Sequence, residues 1–247
     1  MSNLQSHGAG LVLFVPNAAR YPAPMVYLGL DLGQRRDHSA LAVVQLGWIA
    51  CGRCPQTFAY RFQPELVIRS LERFPLGTCY DGLHDVILAR IDSIDSAVPE
   101  MQLIIDAGGP GPPVVDRLRK SAPASLRIRP VIITGGKAEN RLPGGYTGIP
   151  RRSLVSTILL AIGAKSLRCP QGIKNWSEFL KELVGLKPET TQTAAHDSHD
   201  DLVMAVALAV HSAVRDTPEL LPASGLLGSD DPEKQKVQFG FVGKRLF

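Results

Sequence analysis

Residues 26–33 read VYLGLDLG, and this stretch decides the fold because it predicts a strand that ends in a carboxylate. Its run of apolar, strand-forming residues is typical of a buried strand, which Gly33 terminates. Outward from it, residues 40–48 form a second apolar run and residues 57–62 alternate as a half-buried strand does, with the turn-forming CGRCP between them. The three segments predict an antiparallel meander.

The rest of the chain alternates between helical and strand patterns. Apolar spacing predicts helices over 80–96, 114–120, 151–164, 176–184 and 199–214, and strands over 103–105 and 126–133. Pro130 in the last of these strands indicates a sheet edge or a bulge. The order predicts an α/β layered domain. We expect it over 25–216, after an N-terminal arm (1–24) and before a flexible C-terminal tail (217–247).

The composition excludes several classes of protein. With 45% hydrophobic and 20% charged residues, the 247-residue chain can bury a sizeable core and is not disordered. No run approaches the ~18 apolar residues of a membrane span, and no basic region precedes the apolar run at 11–15 as in a secretory signal. Four cysteines are too few for a disulfide scaffold, and the C-x-x-C of Cys51 and Cys54 lacks the second ligand pair of a zinc site. We expect a cytoplasmic protein with no membrane partner.

The basic residues are concentrated in one part of the chain. The net charge is only +4, but residues 107–168 contain just two acidic residues, Asp116 and Glu139. Against these stand eleven lysines and arginines: Arg117, Arg119, Lys120, Arg127, Arg129, Lys137, Arg141, Arg151, Arg152, Lys165 and Arg168. Among them, the Gly/Pro-rich loop over 135–150 and its flank predict phosphate contacts by Lys137, Arg141, Arg151 and Arg152.

Three acidic points share one pattern, a carboxylate at the end of an apolar element. Asp31 ends the first strand, Asp106 ends the strand LIID, and Asp200 with Asp201 opens the last apolar helix. Each has a simpler explanation, as a turn residue or a helix cap. Together they would repel one another, and a divalent cation removes that repulsion. Two such ions ~3.5–4 Å apart can hold a phosphodiester for hydrolysis.

Several motifs together resemble one protein family. They are GLDLG, DHSAL, ERFPLGTCY, VILARI, IIDAGGPGPPVVDRL, VIITGG, GIPRRSLV and HDDLVMAVALAV, spread over residues 27–213. With them the chain resembles the RNase H-like nuclease domain of the large subunits of phage terminases, the DNA-packaging motors. The resemblance implies an RNase H-like mixed sheet, an antiparallel three-strand meander with parallel strands added and helices on both faces. It also implies hydrolysis of double-stranded or branched DNA with Mg²⁺ or Mn²⁺.

The resemblance also implies the ligands. Asp31, Asp106 and one of Asp200 and Asp201 would bind metal; we favour Asp201, which continues the small-residue face of its helix, and keep Asp200 as the alternative. Asp37 and His199 are candidates for supporting positions around the site. Many relatives carry an acidic residue where this chain has Met204, so the number of bound ions, one or two, stays open.

The chain departs from the full-length family in one respect. It has no G-x-x-x-x-G-K-[ST] phosphate loop, since GGKAEN over 135–140 lacks both the spacing and the hydroxyl residue. The resemblance therefore implies the nuclease part alone, of phage or prophage origin in a bacterial host, with a separate ATPase or packaging subunit as a candidate partner.

Two other functions remain open. GLDLG and DAGG also resemble the two phosphate-binding turns of sugar- and acetate-kinase-like ATPases, although no adenosine-binding segment is recognisable and the HDDLVMA helix would be left without a role. An inactive prophage-derived remnant that still binds DNA is the non-enzymatic reading. Salt-dependent DNA binding without cleavage would distinguish it from a nuclease.

Overall fold

The central strand β1, Met25–Asp31, organises an eight-stranded sheet. The computed structural model describes residues 25–33, 37–94, 100–109, 111–170, 172–186 and 200–221, and this part of the chain forms eight strands and five α-helices. The other strands are β2 (Ala40–Arg53), β3 (Tyr60–Arg73), β4 (Glu100–Asp106), β5 (Leu126–Thr134), β6 (Asn140–Leu142), β7 (Tyr146–Pro150) and β8 (Leu167–Arg168). The helices are α1 (Tyr80–Asp92), α2 (Gly111–Ser121), α3 (Arg151–Gly163), α4 (Trp176–Gly185) and α5 (Asp201–Asp216).

The sheet combines antiparallel and parallel pairing, in the order β6-β7-β5-β4-β1-β2-β3-β8. β1, β2 and β3 pair antiparallel, which confirms the predicted meander. β4 lies parallel to β1 on its other side, followed by β5 and β7, also parallel. The predicted α/β class with a mixed sheet is therefore confirmed.

Helices cover both faces of the sheet because β1 alternates its side chains between two apolar clusters. Leu28 and Leu30 are fully buried against α1 and α2 on one face. Tyr27 faces the other cluster, which contains α3, α4 and α5. α5 lies deepest: every residue from Asp201 to Ala213 is buried, so it packs under α3 and α4 as well as on the sheet.

Gly29 sets the distance between β1 and α5. A Cβ at this position would lie 1.9 Å from the carbonyl oxygen of Ala205 and 3.0 Å from the amide nitrogen of Ala209. Both contacts are with backbone atoms, which cannot turn aside as a flexible side chain can. The absence of a side chain at Gly29 therefore lets the helix backbone approach the strand directly.

We predict that Gly29→Ala destabilises the protein by about 1–3 kcal/mol or more, because the methyl group must push α5 off the sheet. The matched control is Gly163→Ala at the end of α3, where a Cβ would meet nothing within 4 Å. Urea unfolding of both variants measures the difference. Equal stability of the two would show that the strand and helix are not in the contact described here.

A polar network fixes the other end of α5. Asp216 accepts hydrogen bonds from the Tyr27 hydroxyl (3.3 Å) and from Gln102 Nε2 (2.8 Å). Ser212 donates to Gln102 Oε1 (3.0 Å) and accepts from Arg129 Nη1. Burial and the Asp216 carboxylate raise the pKa of Tyr27 far above its ordinary value, so the hydroxyl stays a donor. The network ties α5 to β1, β4 and β5 and so fixes its position along the sheet.

Some predicted boundaries differ from the structure. β3 begins at Tyr60 and continues to Arg73, well beyond the strand predicted over 57–62. The segment predicted as a loop over 135–150 contains β6 and β7, joined by a turn in which Gly144 and Gly145 have φ of 73° and 79°. Leu220, the last residue of a 3₁₀ turn, and Leu221 belong to the predicted tail, yet both are buried against the core. The predicted arm and the remainder of the tail lie outside the described residues.

No helix in the described ranges is long and apolar enough to cross a membrane.

Candidate functional site

Asp31 and Asp106 lie side by side at one edge of the sheet. Leu30 pairs with Ile105 in the parallel ladder of β1 and β4, so the next residue of each strand is an aspartate at the same level. Neighbouring strands are about 4.8 Å apart. Both side chains point to the α5 face, because Gly29 and Ile104, two residues earlier on each strand, face α5. The two separate sequence signals therefore meet at one place.

The N-terminus of α5 brings two more carboxylates to this edge. Ala205 contacts Gly29. Asp201 lies one helical turn before Ala205, and Asp31 lies two residues after Gly29 on the strand. Since β1 runs towards this edge and α5 runs away from it, Asp31 and Asp201 come together. Asp200 precedes the helix at the N-cap position.

Asp31 is the electrostatic centre of the cluster. Burial raises its pKa well above the ordinary value, and the carboxylates of Asp106, Asp201 and Asp200 raise it further, in that order. Arg151 acts in the opposite direction. Four carboxylates thus share one site in which the central one is costly to ionise without a cation.

Asp106 is held in place by its own strand end. Its Oδ1 accepts hydrogen bonds from the amides of Gly108 (3.0 Å) and Ile133 (3.4 Å). Burial nevertheless raises the pKa of this carboxyl, although both amides act to lower it. The second carboxylate oxygen is not used by these two contacts, so Asp106 is both oriented and able to bind a further ligand.

Asp200 and Asp201 have different surroundings. Asp200 forms an ion pair with Arg151, the first residue of α3. Asp201 is 7% exposed, and its Oδ2 lies 3.8 Å from Nη2 of Arg73 at the end of β3. Arg73 also pairs with Glu182 of α4, and Glu182 Oε2 accepts the amide of Val203 (3.0 Å). Glu182 therefore supports both Arg73 and the first turn of the helix that carries Asp201.

Sequence reasoning did not identify Arg73 and Glu182 as site residues. The fold brings Arg73 and Arg151 to the acidic residues from β3 and α3, far away in sequence. One signal was present: Glu182 lies between Phe179 and Leu183 on the apolar side of α4. A carboxylate on such a face needs a buried partner.

The remaining predicted residues are spread more widely. Asp37 is exposed, between β1 and β2, and His199 lies outside the described residues. Lys137, Arg141 and Arg152 are exposed, and Arg152 donates to the backbone carbonyl of Lys137. Of the four predicted DNA contacts, only Arg151 joins the acidic cluster; the other three lie on the surface beside it, in or next to the segment that includes β6 and β7.

The cysteines do not converge. Cys51 and Cys54 lie near the end of the β2–β3 hairpin, Cys79 caps α1, and Cys169 follows β8. All four are free thiols. Among the described residues, the C-x-x-C has no second pair of ligands nearby.

The donor set fits a hard divalent cation, although the described side chains do not enclose one. Mg²⁺ and Mn²⁺ prefer carboxylate oxygens, and Asp31, Asp106 and Asp201 supply them around a centre that is costly to ionise alone. In the described part of the chain no three His, Cys, Asp or Glu side chains are arranged to hold an ion. Asp200 and Asp201 turn towards arginines instead. Binding a cation here requires Asp200 to leave Arg151, or Asp201 to bind through the carboxylate oxygen that does not face Arg73.

Comparison with known proteins adds no assignment: no family model, no curated protein and no solved structure matches this chain.

Proposed function

We propose that the chain is a metal-dependent DNA endonuclease with an RNase H-like fold, of the kind found in the nuclease domains of phage terminase large subunits. The observation that carries this proposal is the meeting of Asp31, Asp106, Asp200 and Asp201 at one edge of the sheet, where burial and the other three carboxylates raise the pKa of Asp31. A group of acids at the ends of two neighbouring strands and one helix is suited to holding cations against a phosphodiester. The meander β1-β2-β3 with β4 and β5 parallel to β1 supports the RNase H-like assignment.

Asp31, Asp106 and Asp201 are the proposed metal ligands, with Asp200 as the alternative to Asp201. When bound, Mg²⁺ or Mn²⁺ polarises the phosphodiester and lowers the pKa of the attacking water. Met204 is buried and offers no carboxylate. A second ion would therefore depend on Asp200 or on bound DNA for its ligands.

The protein side chains have three tasks in this mechanism. Asp106 is oriented by the amides of Gly108 and Ile133, and Asp201 by Arg73. Arg151 contacts the acidic cluster through Asp200. It can exchange Asp200 for a DNA phosphate because a planar guanidinium binds both groups. The exposed Lys137, Arg141 and Arg152 bind backbone phosphates on either side, without reading the sequence.

Cleavage of supercoiled plasmid with Mg²⁺ or Mn²⁺ tests the proposal. We expect nicked and linear products from the wild type, none in EDTA, and losses of about 100-fold or more for Asp106→Asn and Asp201→Asn, since an amide is a poor ligand for these ions. Asp92→Asn removes a charge from an exposed position on α1 and serves as the control.

Each result has a defined meaning. Unchanged cleavage in both site variants would refute the assignment of the ligands. DNA binding without cleavage under either metal would favour the inactive DNA-binding remnant. Stabilisation by ATP together with absent cleavage would favour the kinase-like alternative.

We predict that Lys137→Ala/Arg141→Ala weakens DNA binding equally for all sequences and flattens its salt dependence. Each lost phosphate contact lowers the slope of log K against log salt by about 0.9. Fluorescence anisotropy in EDTA measures both effects without cleavage. The control is Arg127→Ala, which pairs with Glu100 at the opposite end of β5. An equal loss in the control would indicate a general effect of charge.

A further inference from the structure

The β2–β3 hairpin extends far beyond the rest of the sheet. β1 pairs only with residues 40–46 of β2, and β8 pairs only with Leu66 and Val67 of β3. The distal part of the hairpin, residues 50–63, which we call the ribbon tip, has no third strand beside it among the described residues. All its residues are exposed or partly exposed.

The ribbon tip lies at the opposite end of the sheet from the carboxylates. Ala40 pairs with Asp31 on one side and with Arg73 on the other, at the edge where the site is built. From there β2 runs away to Arg53, about 44 Å along the strand at ~3.4 Å per residue. The tip therefore does not contact a phosphate that is bound at the carboxylates.

The tip carries cations and aromatic rings but no acids. No aspartate or glutamate occurs from residue 38 to residue 64, whereas Arg53 and Arg61 both lie in the tip. Phe58 is 73% exposed and Tyr60 51% exposed, and the Arg53 guanidinium stacks 4.4 Å from the centre of the Tyr60 ring. Guanidinium groups beside accessible rings are suited to a polyanion with planar bases.

Phe58, whose ring is more exposed than that of Tyr60, has an unfavourable backbone conformation. Phe58 has φ of 56°, in the left-handed region that a bulky side chain rarely adopts. Its amide donates to the carbonyl of Cys54 (2.8 Å), which closes the turn in this conformation. A strained position that holds an apolar ring in solvent indicates a ligand for that ring.

We propose that the ribbon tip is a second DNA-binding element, which contacts a segment of DNA separate from that at the carboxylates. A two-stranded ribbon fits the major groove, Arg61 binds phosphate, and Phe58 stacks on or wedges between bases. The inference rests on the proposed function in taking DNA as the partner. Its test does not need cleavage.

The experiment compares 10-bp and 40-bp duplexes by fluorescence anisotropy in EDTA, with full-length protein. The short duplex spans about 34 Å at ~3.4 Å per base pair, too little to join the two sites, and the long one about 136 Å. We expect wild type to gain more affinity with length than the number of overlapping registers explains, which is N − n + 1 for a duplex of N base pairs and a site of n, because both sites engage one molecule.

Phe58→Ser/Arg61→Ser is expected to lose that gain. Its affinity for the 40-bp duplex should fall about 5-fold or more, and its salt slope by about 0.9. The control Gln56→Ser/Gln63→Ser alters the same exposed tip without removing a ring or a charge. Unchanged melting temperatures should accompany both variants, since the tip lies outside the core.

Equal affinity and slope in the tip variant and the control would overturn the proposal and would favour a protein partner for the tip. Plasmid cleavage by the wild type separates this result from the proposed function. A protein that does not cleave but loses affinity through the tip variant would refute the nuclease and support the second DNA contact. If the wild type cleaves normally and the tip variant binds DNA as the control does, the nuclease would be supported and the second DNA contact refuted.

Discussion

Replacing Asp31 with asparagine is expected to abolish metal-dependent cleavage and at the same time to raise the melting temperature of the metal-free protein. The first effect follows because Asp31 lies among all the other proposed ligands. The second follows because burial and the charges of Asp106, Asp201 and Asp200 oppose its ionisation. Loss of activity together with a gain in stability is typical of substitutions at functional residues that destabilise the fold.

The gain in stability should depend on pH with a definite sign. The folded protein holds the Asp31 proton more tightly than the unfolded chain does, because its pKa is raised on folding. The stability of the wild type therefore falls as pH rises from the ordinary carboxyl value through the raised one. Asp31→Asn cannot ionise, so its advantage should be absent in acid and complete above that range.

Thermal unfolding in EDTA and in Mn²⁺ measures both parts of the prediction. Mn²⁺ should raise the melting temperature of the wild type further as its concentration increases relative to its dissociation constant. It should raise that of Asp31→Asn much less. Asp92→Asn, on the surface of α1, should behave as the wild type does. A less stable Asp31→Asn in EDTA at pH 8 would contradict the electrostatic account of the cluster.

The elements that could be predicted from the sequence are those whose burial is periodic. β1 and β4 are short apolar runs that end in aspartate, so the sequence identifies both as strands. Their two aspartates lie side by side because the strands pair in parallel. The edge or bulge that Pro130 predicted is wrong: β5 lies between β4 and β7 and pairs with β4 without a register shift. Pro130 lies just before the stretch of β5 that pairs with β7, which begins at Val131.

Where burial depends on distant partners, the sequence was less informative. β3 contains Pro64 and Glu65 in its interior, and Glu65 is buried with Arg168 as its partner. Nothing local identifies such a stretch as a strand. Likewise the counter-charges of the site come from β3 and α3, far from the aspartates in sequence, and only tertiary packing brings them together.

Arg73→Met is expected to destabilise the protein by about 3–5 kcal/mol, because it leaves the carboxylate of Glu182 without its counter-charge at a buried position. Glu182 is 6% exposed at its side chain, and Arg73 21%. The control is the same substitution in an exposed pair, Arg117→Met, whose partner Asp81 is 75% exposed and which should cost about 1 kcal/mol or less.

The double variant Arg73→Met/Glu182→Gln separates charge from packing. Glutamine keeps an oxygen that accepts the Val203 amide, so the start of α5 retains this hydrogen bond while the uncompensated charge is removed. Most of the lost stability should therefore return, as a double-mutant cycle by urea unfolding would show. Metal affinity should not return with it, because Asp201 still lacks the guanidinium that lies 3.8 Å from its Oδ2. If Mn²⁺ binding recovered together with stability, Arg73 would be a structural residue only, and Asp201 would need no positioning by it.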